Sequence, residues 1–338
     1  MVTGDWGLRQ IAEASRHLTA YNKRFESPHL LYSMMKHILL AGFVGVLLAA
    51  SGCSNLAQQT SAPENEAVEP LVTGAIPDQD PEKLQRLYGQ LTDYLEAQLG
   101  VPVEYKPVTD YAAAVTAFKV GDLDLVWFGG LTGVQARSQV PGAKAIAQRD
   151  IDAQFQSVFI ANTDSDIGNI KLTEDFQQLR GQTFTFGSES STSGRLMPQY
   201  FLKQANIGLE DFKGEVGFSG SHDKTIKLVE AGTYDVGALN AQVWESRVEA
   251  GEVDRDRVEV IWRSPPYYDY HWVLHPDTSD RYGEDFTQKV QQAFLNLDPS
   301  NPEHQEILSL FGANQFITTE NSNYRTIEEI GREIGKIK

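Results

Sequence analysis

Thr109–Phe128 reads TDYAAAVTAFKVGDLDLVWF, and Gly220–Leu239 reads GSHDKTIKLVEAGTYDVGAL. A shift of 111 residues brings Asp110 onto Ser221, Tyr111 onto His222, Gly121 onto Gly232 and Asp124 onto Asp235. Each stretch holds a residue able to cap a helix, about ten residues of helix, a terminating glycine and an apolar strand. Any helix–strand unit shares this grammar. Two copies this alike nevertheless point to two lobes of similar construction, one early in the chain and one central. Tyr111 and His222 then occupy equivalent places, at the first turn of a helix in each lobe.

The flanking sequence extends the pattern. Leu71–Ile76 is apolar enough for a strand. Pro81–Leu99 carries Leu84, Leu87, Leu91, Tyr94, Leu95 and Leu99 at helical spacing and stops at Gly100. Val101–Tyr105 alternates like a strand. Strand, helix and strand in succession predict an α/β fold with mostly parallel sheets. The chain has 338 residues, enough for two domains with ample core.

The N-terminal part has a different character. Ile38–Ala50 reads ILLAGFVGVLLAA, without a charge, and is preceded by Lys36 and His37. It falls short of the roughly 20 apolar residues that span a bilayer. A basic start, an apolar run and the small residues Ala50, Ser51 and Gly52 together form a signal-peptide pattern over residues 1–52. The 33 residues before Met34 and Met35 fit a start codon assigned too early. Cys53, the single cysteine, follows Ala-Ser-Gly directly, so the junction resembles a bacterial lipoprotein signal with Cys53 as the lipidation site. One cysteine permits no disulfide within the chain. Residues 53–69 are polar, aperiodic and proline-containing, and read as a flexible tether.

The net charge of −17 argues against a nucleic-acid partner. It does not exclude a small anion, which needs local N–H and O–H donors. The strand Thr183–Gly187 is followed by SESSTSG (Ser188–Gly194) and then by a helix, roughly Arg195–Gln204. A strand, a hydroxyl-rich loop and a helix start make an anion site, with free N–H groups and the hydroxyls of Ser191, Thr192 and Ser193 as donors. A plain cap would need one hydroxyl. Pro198 removes one hydrogen bond from that helix. Gly129-Gly130-Leu131-Thr132 is the corresponding turn in the first lobe, where Gly130 and Thr132 either approach a ligand or form a tight turn. Pro265–Trp272 reads PPYYDYHW, more aromatic than a core strand needs, and suggests a crossover lining a cleft. Asp269 within it either accepts from a protonated ligand oxygen or holds a nearby Tyr or His. Asp124 and Asp235 read as caps of strand starts.

Enzyme signatures are missing from the sequence. There is no Gly-x-Ser-x-Gly elbow, phosphate-binding loop with Gly-Lys-Ser/Thr or His-Glu-x-x-His, and no cysteine cluster for a metal. His222, Asp223 and Ser219 are too close along one helix turn for a hydrolase triad. We therefore expect neither catalysis nor a cofactor or metal. A two-lobed enzyme or a signalling receptor using the same cleft are the rival readings.

Thr109-Asp110-Tyr111, Trp127-Phe128-Gly129, Ser190–Gly194, Gly220–Asp223 and Ser264-Pro265 occur in an order that resembles the phosphate/phosphite/phosphonate substrate-binding proteins of ABC transporters. The resemblance covers roughly residues 70–300. The run Pro265–Tyr270 is also similar to that of a selenate-binding subgroup. The resemblance implies a type II periplasmic binding protein: two α/β lobes joined by two crossover strands, with the ligand between. It implies lobes over residues 70–162 plus 272–338 and 163–271, with a hinge near 160–166 and 262–272. It assigns the oxyanion to the Ser191-Thr192-Ser193 loop, Tyr111 and His222. It implies delivery to a permease and an ATPase, in the periplasm or on the outer face of the cytoplasmic membrane. Two departures stand out. Where some members use an acidic residue for a ligand ammonium, this chain offers Gln242, and a second family tyrosine is matched by Phe155. Both favour a simple oxyanion. Arg149 lies nearby in sequence, either as a source of charge or as a surface residue.

Overall fold

The computed structural model describes residues 68–338. The signal-like segment, Cys53 and most of the tether lie outside the described residues.

Asp80 opens helix α1 (Pro81–Leu99) by accepting the N–H groups of Glu82 and Lys83; Pro81 takes the first position and Gly100 closes the helix at φ 69°. Strands β1 (Leu71–Ala75) and β2 (Val103–Tyr105) flank it in the chain. Helix α2 (Tyr111–Lys119) leads to β3 (Leu125–Phe128), then α3 (Gly130–Gln139) and β4 (Lys144–Arg149). The chain next enters the second lobe at β5 (Ser157–Asn162) and forms β6 (Phe184–Phe186), α4 (Met197–Gln204), β7 (Gly217–Phe218) and α5 (His222–Glu230). It continues through β8 (Val236–Asn240), α6 (Ala241–Glu249) and β9 (Val258–Arg263). It returns as β10 (His271–Leu274), adds three helices and β11 (Phe316–Thr318), and finishes on the helix Arg325–Glu333.

The sheet orders are β11-β4-β10-β3-β1-β2 and β7-β6-β8-β5-β9. Read from opposite ends, they are the same arrangement: β4, β10, β3, β1 and β2 match β9, β5, β8, β6 and β7. The internal repeat is thus a repeat of whole lobes. Its details agree. Asp110 and Ser221 cap α2 and α5, accepting from Ala113 N at 2.8 Å and Lys224 N at 3.4 Å. Gly121 and Gly232 lie at φ 80° and 72°, where only glycine avoids strain. Asp124 accepts the N–H of Val72 and Asp235 that of Thr183, each at 2.8 Å, so these carboxylates tie neighbouring strands together.

Two expectations need correction. The sheets are mixed rather than mostly parallel. Within each, one strand arrives from the other lobe (β10 between β3 and β4, β5 between β8 and β9) and runs antiparallel to both neighbours. A parallel neighbour would need a helical crossover inside the lobe. Ser157–Asn162, assigned above to the first lobe, is bonded along its length to β8 and β9 and belongs to the second sheet. His271 belongs to the first. The lobes are therefore connected by residues 150–156, not 160–166, and by 264–270, within the expected 262–272. Phe155 and Tyr267, one on each connection, exchange both backbone hydrogen bonds at 2.9 Å.

Candidate anion-binding site

The Ser-rich loop follows β6. Its start is wider than an α-turn: Leu196 N–H reaches Ser191 O and Met197 N–H reaches Thr192 O, a π-type turn over Thr192–Leu196. The expected helix thus starts at Met197, and Pro198 sits at its beginning, where a missing N–H costs little. The carbonyls left free by the wide turn and by Pro198 find other donors. Ser157 Oγ donates to Ser193 O at 2.7 Å, and Gly187 N–H donates to Gly194 O at 2.9 Å. Ser191 Oγ caps the turn, accepting from Gly194 N at 2.9 Å.

The first lobe meets this loop at the start of α3. Leu131 N–H donates to Thr192 Oγ1 at 3.0 Å, and Gly130 N–H to Asp269 Oδ1 at 2.8 Å. A Cβ on Gly129 would stand 3.2 Å from Thr192 Oγ1 and 3.3 Å from Asp269 Oδ1, so the glycine permits this approach of the lobes. Thr132 Oγ1 donates to Gly129 O at 3.1 Å. The donors of Gly130 and Thr132 are therefore already engaged within the protein.

Tyr111 and His222 are buried at the first positions of α2 and α5, as the repeat requires. Tyr111 Oη, Ser193 Oγ and Asp269 Oδ2 are buried without a hydrogen-bond partner. Burial raises the Asp269 pKa to about 7 and pushes the Tyr111 hydroxyl well above its ordinary value. Burial also lowers the His222 pKa to about 4, so its ring is neutral at neutral pH. His222 Nε2 lies 3.2 Å from the Tyr270 hydroxyl, and Asn240 N–H is 3.4 Å from His222 Nδ1. Tyr270 Oη donates to Asp78 Oδ2 at 2.8 Å, and burial raises the Asp78 pKa to about 6. The cleft is closed across by further contacts: His222 N–H to Asp78 O at 3.0 Å and Asp80 N–H to Asp223 Oδ2 at 2.7 Å.

Three residues named from sequence sit at the margin. Arg149 is 4% exposed, so it is not a surface residue. It is held by Asp152 at 2.7 and 2.8 Å, donates to Phe311 O at 2.7 Å and stacks near Tyr270. Phe155 packs edge-on against Tyr270 and Tyr267. Gln242 lines a small cavity with Asp78, Arg149, Asn240 and Tyr270, and its Oε1 is unpaired. Sequence reading missed Asp78, Asn240 and the hydroxyl of Tyr270. Among the described residues, no group of three His, Cys, Asp or Glu is placed to hold a metal ion.

Residues 73–324 match the family described as ABC transporter, phosphonate, periplasmic substrate-binding protein. The chain belongs to this family. It is 49% identical over 269 residues to a Prochlorococcus marinus (strain MIT 9301) protein named "Probable ABC transporter phosphite binding protein PhnD1", covering 79% of this chain and 91% of that one. The solved structure of PhnD1 from the same organism in complex with methylphosphonate matches with a TM-score of 0.78 at 49% identity, over 79% of this chain and 98% of that one. A "Phosphate-import protein PhnD" from Mycolicibacterium smegmatis is 27% identical, covering 68% of this chain and 73% of its own length. The family assigns the fold, two α/β lobes of the periplasmic binding-protein type, and a role in ABC transport. The relatives are substrate-binding components, not enzymes.

Proposed function

We propose that this chain captures a small tetrahedral oxyanion between its lobes and delivers it to the permease and ATPase of an ABC importer. One observation carries the reading: Tyr111 Oη, Ser193 Oγ and Asp269 Oδ2 are buried without partners in the same cleft. Each such group costs about 1–3 kcal/mol if left unmet. An anion with oxygens in several directions satisfies hydroxyls from both lobes at once. We assign Tyr111, Ser191, Thr192, Ser193 and His222 as its donors. Asp269 accepts from a protonated ligand oxygen, or gives its own proton, as a pKa of about 7 allows. Gly130 holds Asp269 in place through its N–H, and Thr132 shapes the first-lobe turn through its bond to Gly129 O.

Relatives named for phosphite binding and phosphate import, and the PhnD1 structure in complex with methylphosphonate, point to phosphite, phosphate or a small phosphonate as ligand. Selenate has the same shape and is the alternative. Gln242 brings an amide, not a carboxylate, so an ammonium-bearing phosphonate gains no ion pair there. The lobes close by bending at residues 150–156 and 264–270. Residues 1–52 direct export, and a lipid on Cys53 keeps the protein at the outer face of the cytoplasmic membrane in the periplasm. Calorimetric titration of the mature chain with phosphite, phosphate, methylphosphonate, selenate, sulfate and 2-aminoethylphosphonate tests the reading. A simple oxyanion should bind tightest. Binding of none of them, or a preference for 2-aminoethylphosphonate, would overturn it.

A further inference from the structure

We propose that Asp78 is a positioning residue for the anion site: through the Tyr270 hydroxyl it holds His222 in the tautomer that carries its proton on Nε2. This rests on the reading that His222 faces the ligand. Asp78 lies between β1 and α1 and is 3% exposed. Its carboxylate accepts the Tyr270 hydroxyl proton at 2.8 Å. A phenol has one proton, so the Tyr270 oxygen can then only accept. Two groups reach it at 3.2 Å, Asn240 Nδ2 and His222 Nε2.

The orientation of the Asn240 amide is fixed independently. Its Oδ1 caps α6 by accepting Val243 N–H at 3.0 Å, so its NH2 group faces Tyr270. The other side of the imidazole gives the same answer. Asn240 N–H, a donor, approaches His222 Nδ1 at 3.4 Å, so that nitrogen offers a lone pair. The neutral ring has one proton, and both contacts place it on Nε2. Asp78 also accepts the His222 backbone N–H through its own carbonyl at 3.0 Å. One first-lobe residue thus fixes the second-lobe histidine both at its backbone and, through Tyr270, at its ring.

The chemical consequence concerns the sign of what the ring presents. The Nε2–H that rests on the Tyr270 oxygen at 3.2 Å is the proton the ring can turn to an entering oxyanion, whereas a lone pair on Nε2 would repel it. Without the Asp78 acceptor, the Tyr270 hydroxyl is free to donate to Nε2. The proton then belongs on Nδ1, facing Asn240 N–H.

Two measurements on the full chain test this. Nitrogen NMR of ¹⁵N-histidine-labelled, ligand-free protein reads the tautomer, and calorimetry with phosphite reads affinity. Wild type should show His222 protonated on Nε2. Asp78→Ala should move the proton toward Nδ1 and weaken phosphite binding about tenfold or more. Asp78→Asn keeps an acceptor oxygen and should stay within about threefold of wild type. Tyr270→Phe should add nothing to Asp78→Ala in the double variant, because both cut the same path. An Nδ1–H tautomer in wild type, unchanged affinity in Asp78→Ala, or independent effects of Asp78→Ala and Tyr270→Phe would each overturn the inference. If Asp78→Ala fails to fold, the wild-type tautomer and Tyr270→Phe decide it. A wild-type chain that binds none of the anions would sink the functional reading instead, while the NMR arm still decides the tautomer.

Discussion

Thr192→Ala separates the two jobs we assign to one hydroxyl. Thr192 Oγ1 accepts Leu131 N–H across the cleft at 3.0 Å and sits against Asp269, and we assign its proton to a ligand oxygen once the anion is bound. Removing it loses a neutral hydrogen bond of about 1 kcal/mol and a charge-assisted one of about 1.5–3 kcal/mol. The sum, about 2.5–4 kcal/mol, corresponds to a loss of roughly a hundredfold to a thousandfold in affinity. Both bonds exist only when the lobes are together, so an open, ligand-free protein should melt within about 2 °C of wild type. Thr192→Ser keeps the hydroxyl and should recover most of the affinity. Tyr111→Phe touches no cross-cleft bond and should lose only the ligand term, about ten- to a hundredfold. Calorimetric titration with phosphite and phosphate measures all three. If Thr192→Ala binds within threefold of wild type, the Ser191–Ser193 loop is not the site, and the assignments built on it fall.

Other consequences are open to direct measurement. Asp269, with its pKa raised to about 7, binds a proton in the folded state that the unfolded chain releases near pH 4; stability should fall as pH rises from about 4 to 7, by up to about 4 kcal/mol from this group. Asp269→Asn should therefore melt higher than wild type at pH 8 but not at pH 4, and equal melting at pH 8 would contradict the burial argument. Cys53→Ala should release the protein from the membrane fraction, and unchanged membrane retention would refute lipid attachment. Saturating phosphite should reduce the radius of gyration in small-angle scattering if the connections at 150–156 and 264–270 bend, and an identical profile would argue against closure.

Much of the architecture was legible because it is written in short-range chemistry. Asp110, Ser221, Gly121 and Gly232 announce helix ends whatever surrounds them, and their spacing exposed the doubled lobe. Strand direction was not legible. An apolar run such as Ser157–Asn162 looks the same entering a sheet parallel or antiparallel, and no glycine or proline marks its passage between lobes. The role of Arg149 was hidden for a related reason. Only the fold brings Phe311 O and the stack of Trp127, Phe155 and Tyr270 around its guanidinium. Asp78 carries no signal at all in the run IPDQDP, where Asp80 is the evident cap. Its burial arises only in the fold, beside Tyr88, Trp127, Arg149 and Tyr270 and against the His222 N–H of the other lobe.

The chain carries a net charge of −17, yet the cleft we assign to an anion contains buried carboxyls and no free cation among the groups described there. Arg149 is matched by Asp152, and His222 is neutral. Among these groups no unpaired cation is left to attract the anion; the unpaired guanidinium nearest in sequence, Arg195 in the Thr192–Leu196 turn, is buried against the Phe186 ring. What remains is a closed set of N–H and O–H donors whose cost of burial is offset only when an acceptor with several oxygens fills the space. Such a site rewards shape and proton inventory. A carboxyl that touches the ligand, Asp269 in our assignment, must be protonated or face a protonated ligand oxygen before the lobes can shut without two like charges in contact, whereas Asp78, behind Tyr270, accepts the Tyr270 proton as a carboxylate. Tyr270, Asn240 and the two faces of His222 matter for the same reason: where neutral N–H and O–H groups line the cleft, the direction in which each proton points decides whether an anion is held or expelled.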